Sequence, residues 1–221
     1  MSKVVHPFAH RLGILRDWRH RWFAEGAQYR ENLKGDILLR EFLMKELRGM
    51  YVGALEIERG KVLRIIVKTS RPGIIIGRSG EGSTKIKKSI ETFLRKKGLP
   101  VPEIKLDIEE IRTPEANAAI VAYMIAEGLE KRLAFRRVLK QTIEKVMANR
   151  DVKGVRITLS GMLGGGSMSR TETLKKGQVP LQTIRADVDY ARERAILPLG
   201  VIGVKVWIYK GEVFTNKNKD K

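Results

Sequence analysis

The chain of 221 residues contains no cysteine. This absence excludes disulfide bonds, thiolate zinc sites, iron–sulfur clusters and cysteine nucleophiles, and it is typical of a reducing compartment. Histidine is scarce, and His6, His10 and His20 have no acidic cluster nearby in the sequence that would complete a metal site. No apolar run approaches the roughly 20 residues that a membrane-spanning helix needs. We therefore expect an intracellular protein with no metal, cofactor or membrane span.

Acidic residues are also few in comparison with basic residues. Lysine and arginine total 44 against 25 aspartates and glutamates, which gives a net charge of +19 and a pI near 10.3. Hydrophobic residues make up 43% of the chain, so a basic disordered tail is excluded. This combination favours a folded protein with a polyanionic partner. Basicity alone leaves RNA, DNA and an anionic membrane surface open.

The hydrophobic pattern predicts an α+β fold in two parts. In the first part, a helix capped by Asp36 is followed by two antiparallel strands, a second helix and a third strand. The expected ranges are residues 36–48, 54–58, 63–68, 81–97 and 104–109. In the second part, Thr113 is expected to cap a long helical stretch that breaks near Leu133 and ends near Asn149. Four strands of a mostly antiparallel sheet follow at residues 155–159, 167–175, 181–190 and 201–209.

These elements predict four regions. Residues 1–35 form a basic and aromatic N-terminal segment, 36–111 a first domain whose candidate RNA site is described next, 112–213 an α/β domain and 214–221 a disordered tail. In the N-terminal segment, Trp18, Trp22, Phe23 and Tyr29 lie among arginines. Such aromatics either stack on bases or pack on a neighbouring domain, and the sequence favours neither.

The glycine loop, Gly77-Arg78-Ser79-Gly80, is the first candidate RNA site. The two glycines permit close backbone approach to a ligand, and the helix that follows presents unpaired N–H groups that favour anions. Arg78 in the loop, with Lys85 and Lys88 on the helix, provides positive charge for phosphates. A loop of this kind between strands and a helix is typical of K-homology domains, which clamp about four nucleotides.

A cationic helix is the second candidate site. Five cations fall within residues 131–140 with no acid between them: Lys131, Arg132, Arg136, Arg137 and Lys140. At about 100° per residue, the last four share one side of a helix over Phe135–Ala148, while Phe135, Val138, Leu139 and Val146 lie on the other. This pattern predicts a helix that lies against nucleic-acid phosphates.

Two features suggest an enzyme only superficially. The glycine cluster Gly161–Gly166 lacks the Gly-Lys-Ser/Thr ending of a P-loop and is better explained as a hairpin bend. Asp187 and Asp189 would share one face of a strand, and two carboxylates in this arrangement can bind a metal or carry out acid–base chemistry. Cations around them are expected to hold them in salt bridges instead.

Eight stretches of the chain follow one another in a specific order. They are Lys3–Pro7, Arg11–Ile14, Arg71–Gly77, Phe135–Arg137, Ser160-Gly161 with Leu163–Gly165, Arg170–Glu172, Val179–Tyr190 and Gly200–Ile208. In this order they resemble the bacterial small-subunit ribosomal protein uS-three family over about residues 3–213. The resemblance implies a type II K-homology domain followed by a second α/β domain, docked in the head of the small subunit.

The resemblance further implies ribosomal RNA, messenger RNA and the ribosomal proteins S-ten and S-fourteen as partners. The family lines the channel where messenger RNA enters, and its basic helix, matched here by Arg136, Arg137 and Lys140, helps to unwind structured message. Arg170 lies in a resembling stretch and is included among the RNA-contacting residues. The family loop commonly has two lysines where this chain has Arg78 and Ser79. A cytoplasmic, non-enzymatic protein with no cofactor and no small-molecule substrate is expected.

Three other interpretations remain at this point. A free K-homology regulator of transcripts or ribosomal RNA maturation fits the composition and the loop. A metal-dependent nuclease would use Asp187 and Asp189. A basic membrane-surface protein is less consistent with cations that flank strand patterns rather than one amphipathic helix.

Overall fold

A computed structural model describes residues 5–214 of the chain. The contacts divide these residues into two compact units: Trp18–Arg112, the first unit, and residues 5–17 together with 113–214, the second unit. The predicted segment 1–35 therefore contributes residues to both units. The predicted tail lies outside the described residues except for Phe214.

The first unit is a mixed sheet covered by helices. Its strands are β1 (His20–Arg21), β2 (Val52–Arg59), β3 (Leu63–Thr69) and β4 (Ile104–Glu110), in that spatial order. β2 and β3 pair antiparallel as predicted, whereas β1–β2 and β3–β4 are parallel. The helices of this unit are α2 (Gly26–Glu46), α3 (Pro72–Ile76) and α4 (Glu81–Lys96).

The core of the first unit lies between one face of the sheet and the helices α2 and α4. Leu39 and Leu43 of α2 are fully buried, and Ile90 of α4 is as well. The rings of Phe42 and Phe93 stack between these helices with centroids 4.4 Å apart. The apolar residues that recur every three or four positions on both helices are therefore the buried ones, as expected of amphipathic helices.

The prediction that Asp36 caps a helix is wrong. The helix α2 begins ten residues earlier, at Gly26, and Asp36 lies buried in its middle. Its carboxylate accepts hydrogen bonds from Trp22 Nε1 at 2.7 Å and from Arg59 Nε at 2.6 Å. Burial alone would raise the pKa of Asp36, but hydrogen bonds from His20, Arg59 and Trp22 outweigh it and lower the pKa.

The second unit is a four-stranded antiparallel sheet with two long helices on one face. Its strands are β5 (Gly154–Gly161), β6 (Arg170–Gly177), β7 (Ala186–Leu197) and β8 (Gly200–Glu212), in the spatial order β6-β5-β8-β7. Its helices are α1 (Pro7–His10), α5 (Ala118–Glu130) and α6 (Phe135–Ala148). The chain breaks between α5 and α6 near Leu133, and the glycine cluster forms the bend between β5 and β6, both as predicted.

Two predicted boundaries in this unit are wrong. Thr113 does not cap the long helix, because Pro114–Ala116 forms a separate 3-10 turn and the side chain of Asn117 accepts from the N–H groups of Ala119 and Ile120. The strand predicted from Leu181 begins at Ala186 instead. Residues before it turn their carbonyl groups toward the side chain of Arg11.

Alternating side chains divide the second sheet into a buried face and an opposite face. Val155, Ile157 and Leu159 of β5 pack with α5 and α6 in the main core. On the opposite face, Trp207 and Tyr209 of β8 form a small second cluster with Ala186 and Val188. Period-two alternation places these two sets on different sides of one sheet.

Arg11 anchors the N-terminal residues to the second unit. Its side chain is fully buried, and it donates to the carbonyl oxygens of Ala186 at 2.5 Å, Thr183 at 2.9 Å and Pro7 at 3.0 Å. Further donor contacts reach the carbonyls of Pro180 and Leu181. One guanidinium thus satisfies the irregular segment that precedes β7, which has no sheet partner for these oxygens.

We expect Arg11→Met to destabilise the second unit by about 3 kcal/mol, because it leaves several buried carbonyls without a donor. Urea unfolding combined with hydrogen exchange of the β7 amides measures this loss. The control is Arg16→Met, which removes a partly exposed ion pair to Asp187 and should cost about 1 kcal/mol or less. Equal losses in the two variants would contradict the anchoring role of Arg11.

The buried Asp36 predicts acid sensitivity of the first unit. A carboxyl with a lowered pKa stabilises the folded state fully above its ordinary value of 3.8, and this contribution disappears as the pH falls through the lower folded value. Asp36→Asn should therefore be less stable at neutral pH by about 2 kcal/mol and should lose less stability on acidification. Urea midpoints measured along a pH series test this, and parallel curves for the two proteins would refute it.

Candidate nucleic-acid interface

The glycine loop lies between α3 and α4 of the first unit. Gly77 has φ +71° and Gly80 has φ +80°, and both values favour glycine. Ser79 between them also has a positive φ, at 51°. The helix α4 begins at Glu81 with Gly80 as its cap, and the N–H of Glu81 donates to the carbonyl oxygen of Arg78. Among residues 5–214, no side chain caps the N–H groups that follow in the first turn. The loop therefore leaves helical N–H donors available for an anion.

Gly82 is a structural requirement that sequence analysis missed. A Cβ added there would lie 2.5 Å from the carbonyl oxygen of Ile75 and 2.9 Å from that of Ile76. These distances are too short for any side chain, so α3 can cross the first turn of α4 only because residue 82 is glycine. The signal was visible as a third glycine in Gly77-x-x-Gly80-x-Gly82, but its role depends on the crossing of two helices.

Cationic and apolar side chains surround the loop. Arg78, Lys85 and Lys88 are all exposed, and the two lysines lie near Glu81 on one side of α4. Ile74 and Ile76 of α3 are also exposed, at 52% and 40%, although sequence analysis did not select them. The loop thus combines positive charge for phosphates with apolar surface against which a base can pack.

The second candidate site is the exposed side of α6. Arg136, Arg137 and Lys140 are exposed there, while Val138 and Leu139 are buried against the core. Arg132 is not part of this helix, contrary to the prediction. It lies in the turn before α6 with φ +60°, so the helix carries three of the four predicted cations.

The tertiary structure brings Arg170 to α6. The guanidinium groups of Arg136 and Arg170 lie 5.5 Å and 5.6 Å from the ring centroid of Phe135. Both arginines also approach Glu172 Oε1, at 3.5 Å and 3.9 Å. Residues 131–140 contain no acid of their own, but two of their cations are nevertheless paired. Lys131 Nζ lies 2.7 Å from Glu127 Oε1, four residues earlier in the sequence, and the acid that pairs with Arg136 comes from β6.

Arg137 and Lys140 have no carboxylate within salt-bridge distance among residues 5–214. The exposed Arg136 pair is weak at this distance, since exposed ion pairs contribute about 0–1 kcal/mol and exchange readily with another anion. The exposed side of α6 is therefore a cationic surface on a rigid helix. Phosphates can replace Glu172 as the partner of Arg136 with little structural change.

The N-terminal aromatics divide into a packed pair and an exposed pair. Trp22 packs, with its indole donating to Asp36 and its ring 5.3 Å from that of Tyr29. Trp18 and Phe23 are exposed, at 64% and 85%. Burial of one indole fixes the segment, and the exposed rings remain accessible.

Asp187 and Asp189 each interact with a different structural partner, the first through an ion pair and the second through a hydrogen bond. Asp187 Oδ1 lies 2.6 Å from Arg16 Nη2. Asp189 Oδ2 accepts from the N–H of Ala118 at 2.9 Å, at the start of α5. Within residues 5–214, no group of three or more histidine and acidic side chains is placed to hold a metal ion. In the same range, no helix is long and apolar enough to cross a membrane.

Comparison with known protein families gives two matches along the chain. A model described as "KH domain" matches residues 38–116, and one described as "Ribosomal protein S3, C-terminal domain" matches residues 125–208. Together with the observed sheets, these matches confirm the predicted fold class: a K-homology domain followed by a second domain with helices on an antiparallel four-stranded sheet.

Individual relatives match over nearly the whole length. The chain is 42% identical over 218 residues to "Small ribosomal subunit protein uS3" of Caldicellulosiruptor saccharolyticus, covering 98% of this chain and 96% of the relative. A protein with the same description from Photobacterium profundum is 42% identical, and the match covers 96% of this chain and 90% of the relative. One from Endomicrobium trichonymphae is 43% identical, and the match covers 100% of this chain and 92% of the relative.

The loop geometry predicts the effect of reversing its charge. Arg78→Asp with Ser79→Asp should weaken RNA binding about 100-fold at roughly 0.1 M salt, because negative charge enters the anion site. The control is Arg78→Asn with Ser79→Asn, since asparagine also tolerates the positive φ of residue 79. It should lose only about fivefold. Equal affinities of the two variants across a salt titration would count against the loop as an anion site.

Proposed function

The chain belongs to the family of small ribosomal subunit protein uS3, and from this membership we propose that it contacts ribosomal RNA through the glycine loop and messenger RNA through α6. As a member of this family, it is a structural, RNA-binding component of the small ribosomal subunit and not an enzyme. The cytoplasm is the proposed compartment, because it is where bacterial ribosomes translate.

The assignment of ribosomal RNA to the glycine loop depends on the close backbone approach that its glycines permit. A static RNA segment can use a site that requires close approach, because it binds once during assembly and then remains in place. The loop offers this through Gly77, Gly80 and the first turn of α4. The exposed cations at Arg78, Lys85 and Lys88 add attraction for neighbouring phosphates.

The assignment of messenger RNA to α6 depends on exposed cationic side chains that bind phosphates and do not distinguish one base from another. Arg137 and Lys140 have no carboxylate partner among the described residues, and Arg136 shares only the weak contact to Glu172. Long cationic side chains on a rigid helix bind phosphates irrespective of sequence, so a strand can slide past them. They can hold separated strands while translocation supplies the work, so the helix assists unwinding without hydrolysing a nucleotide.

The ribosomal proteins S-ten and S-fourteen are the proposed protein partners. A helix face suited to such contact runs along α2, where four large apolar side chains recur near one side and remain exposed. They are Tyr29, Leu33, Ile37 and Met44, with 41–51% exposure. Exposed apolar side chains in a stripe of this kind are typical of protein interaction surfaces.

We expect Arg136→Ala with Arg137→Ala to slow translation through a stable hairpin by about two- to fivefold, because two phosphate contacts are lost. Both residues are exposed, so folding should be preserved. The measurement is the elongation rate of reconstituted ribosomes on messages with and without the hairpin.

Lys145→Ala with Arg150→Ala serves as the control, since it removes the same charge from exposed positions on and just after the same helix. It should leave the ratio of the two elongation rates unchanged. An unchanged ratio for the Arg136 and Arg137 variant, with normal incorporation into subunits, would contradict the role assigned to α6.

A further inference from the structure

The second sheet has a face opposite α5 and α6 that is covered only near the cluster of Trp207 and Tyr209 and is open beyond it. None of the sites above includes this face. Cross-strand pairing arranges its side chains in three adjacent rows across β6, β5, β8 and β7. The rows, which we call the outer face, are Lys175-Arg156-Trp207-Tyr190, Thr173-Thr158-Lys205-Arg192 and Thr171-Ser160-Gly203-Arg194.

The outer face is positively charged and contains no acid. Five of its twelve positions are lysine or arginine, and none is aspartate or glutamate. Lys175, Lys205, Arg192 and Arg194 are exposed. Among residues 5–214, no carboxylate lies within salt-bridge distance of any of these side chains. Like charges this close repel one another, so the arrangement costs stability unless an anion binds.

In the first unit, by contrast, the cations on the sheet face opposite the helices are paired with acids. There Arg64 Nε lies 2.5 Å from Asp107 Oδ2, and Lys68 Nζ lies 2.9 Å from Glu56 Oε1. Each of these cations also approaches a second acid on a neighbouring strand. A sheet in this chain can therefore neutralise its cations by cross-strand pairing, and the outer face of the second sheet does not.

The remaining side chains of the outer face suit a sugar-phosphate backbone. The hydroxyls of Thr171 and Thr173 are exposed at its edge, and Thr173 shares a hydrogen bond of 2.9 Å with Thr158. Trp207 is not available for base stacking, because it is 8% exposed and the guanidinium of Arg156 lies 5.1 Å from its ring. The face thus presents charge and hydroxyl groups rather than aromatic rings, which favours phosphate and 2′-hydroxyl contacts.

We propose that the outer face is a second RNA-binding surface of this unit, which holds a single RNA strand by its backbone with little sequence preference. Because α6 packs on the opposite side of the same sheet, the two surfaces are separated by the sheet itself. The unit can then hold one RNA on α6 and a different segment on the outer face at the same time. This surface is additional to the glycine loop and α6 of the proposed function.

The test uses the full chain with Lys175→Gln, Arg192→Gln and Lys205→Gln combined, which removes three exposed cations and keeps Arg156 on Trp207. The charge-matched control combines Lys61→Gln, Lys96→Gln and Lys97→Gln, which are exposed in the first unit at positions away from the glycine loop. Binding of single-stranded oligouridine is measured over a salt series, with the wild type, both triple variants and Arg136→Ala with Arg137→Ala.

We expect the outer-face variant to bind at least about tenfold more weakly at roughly 0.1 M salt, with a log–log salt slope reduced by about 2, since each phosphate contact on a single strand contributes about 0.7. The control variant should change affinity less than about threefold. Combining the outer-face and α6 changes should give the product of the separate losses, because the sites are independent.

Equal losses in the outer-face and control variants would overturn this inference and leave the proposed function intact. A wild type that binds no RNA at low salt would instead refute the proposed function. The inference would also be overturned if the outer-face variant kept its RNA binding but lost binding to vesicles of anionic lipid. The face, with the exposed Ile196 and Val201 beside it, would then be a membrane-binding surface.

The absence of cysteine allows the RNA to be located directly. A single Thr171→Cys substitution gives the only thiol in the chain, and a photoreactive label there lies on the outer face. We expect it to crosslink bound oligouridine, also when Arg136 and Arg137 are replaced by alanine. A label at Lys97→Cys is the control, and equal or greater crosslinking there would contradict the surface we propose.

Discussion

Positive charge that the protein does not neutralise for itself is the constraint on which the function depends. With a net charge of +19, the cations of the folded chain repel one another. Each cation is neutralised either by an acidic side chain of the protein or by an anion that binds from solution. Arg59, Arg64 and Lys68 find acids within the first unit. The cations of the glycine loop, α6 and the outer face largely do not, and these surfaces are where RNA can bind.

Rigid cores hold those cations in place. Each unit buries one face of a four-stranded sheet under two long helices, so the charged side chains project from elements that are packed on a core. Pre-placed charge binds phosphates at a smaller entropic cost than charge on a disordered tail, which must be ordered on binding. This is why a basic ribosomal protein benefits from a folded core of this size.

Two buried ionic groups maintain the segments that lack regular structure. Asp36 on α2 contacts the side chains of Trp22, His20 and Arg59. Arg11 donates hydrogen bonds to carbonyl groups at and before the start of β7. Both groups lie in or contact the N-terminal residues, where the sequence showed only cations and aromatics without a period. A buried charge that is fully hydrogen-bonded specifies one arrangement, because every alternative leaves it unpaired.

The sequence by itself determined the elements whose signals are local: the alternation of β2 and β3, the apolar stripes of α2 and α4, the break near Leu133 and the glycine loop. It also determined the family, through motifs spread over the whole chain. Only the tertiary structure decided the roles of Asp36, Gly82 and Arg11, because their partners lie on other elements of the fold. It likewise decided which cations are neutralised, since Glu172 reaches Arg136 across 36 positions while the outer-face cations reach no acid among residues 5–214. Pairing of charges depends on which strands and helices become neighbours, and no local pattern contains that information.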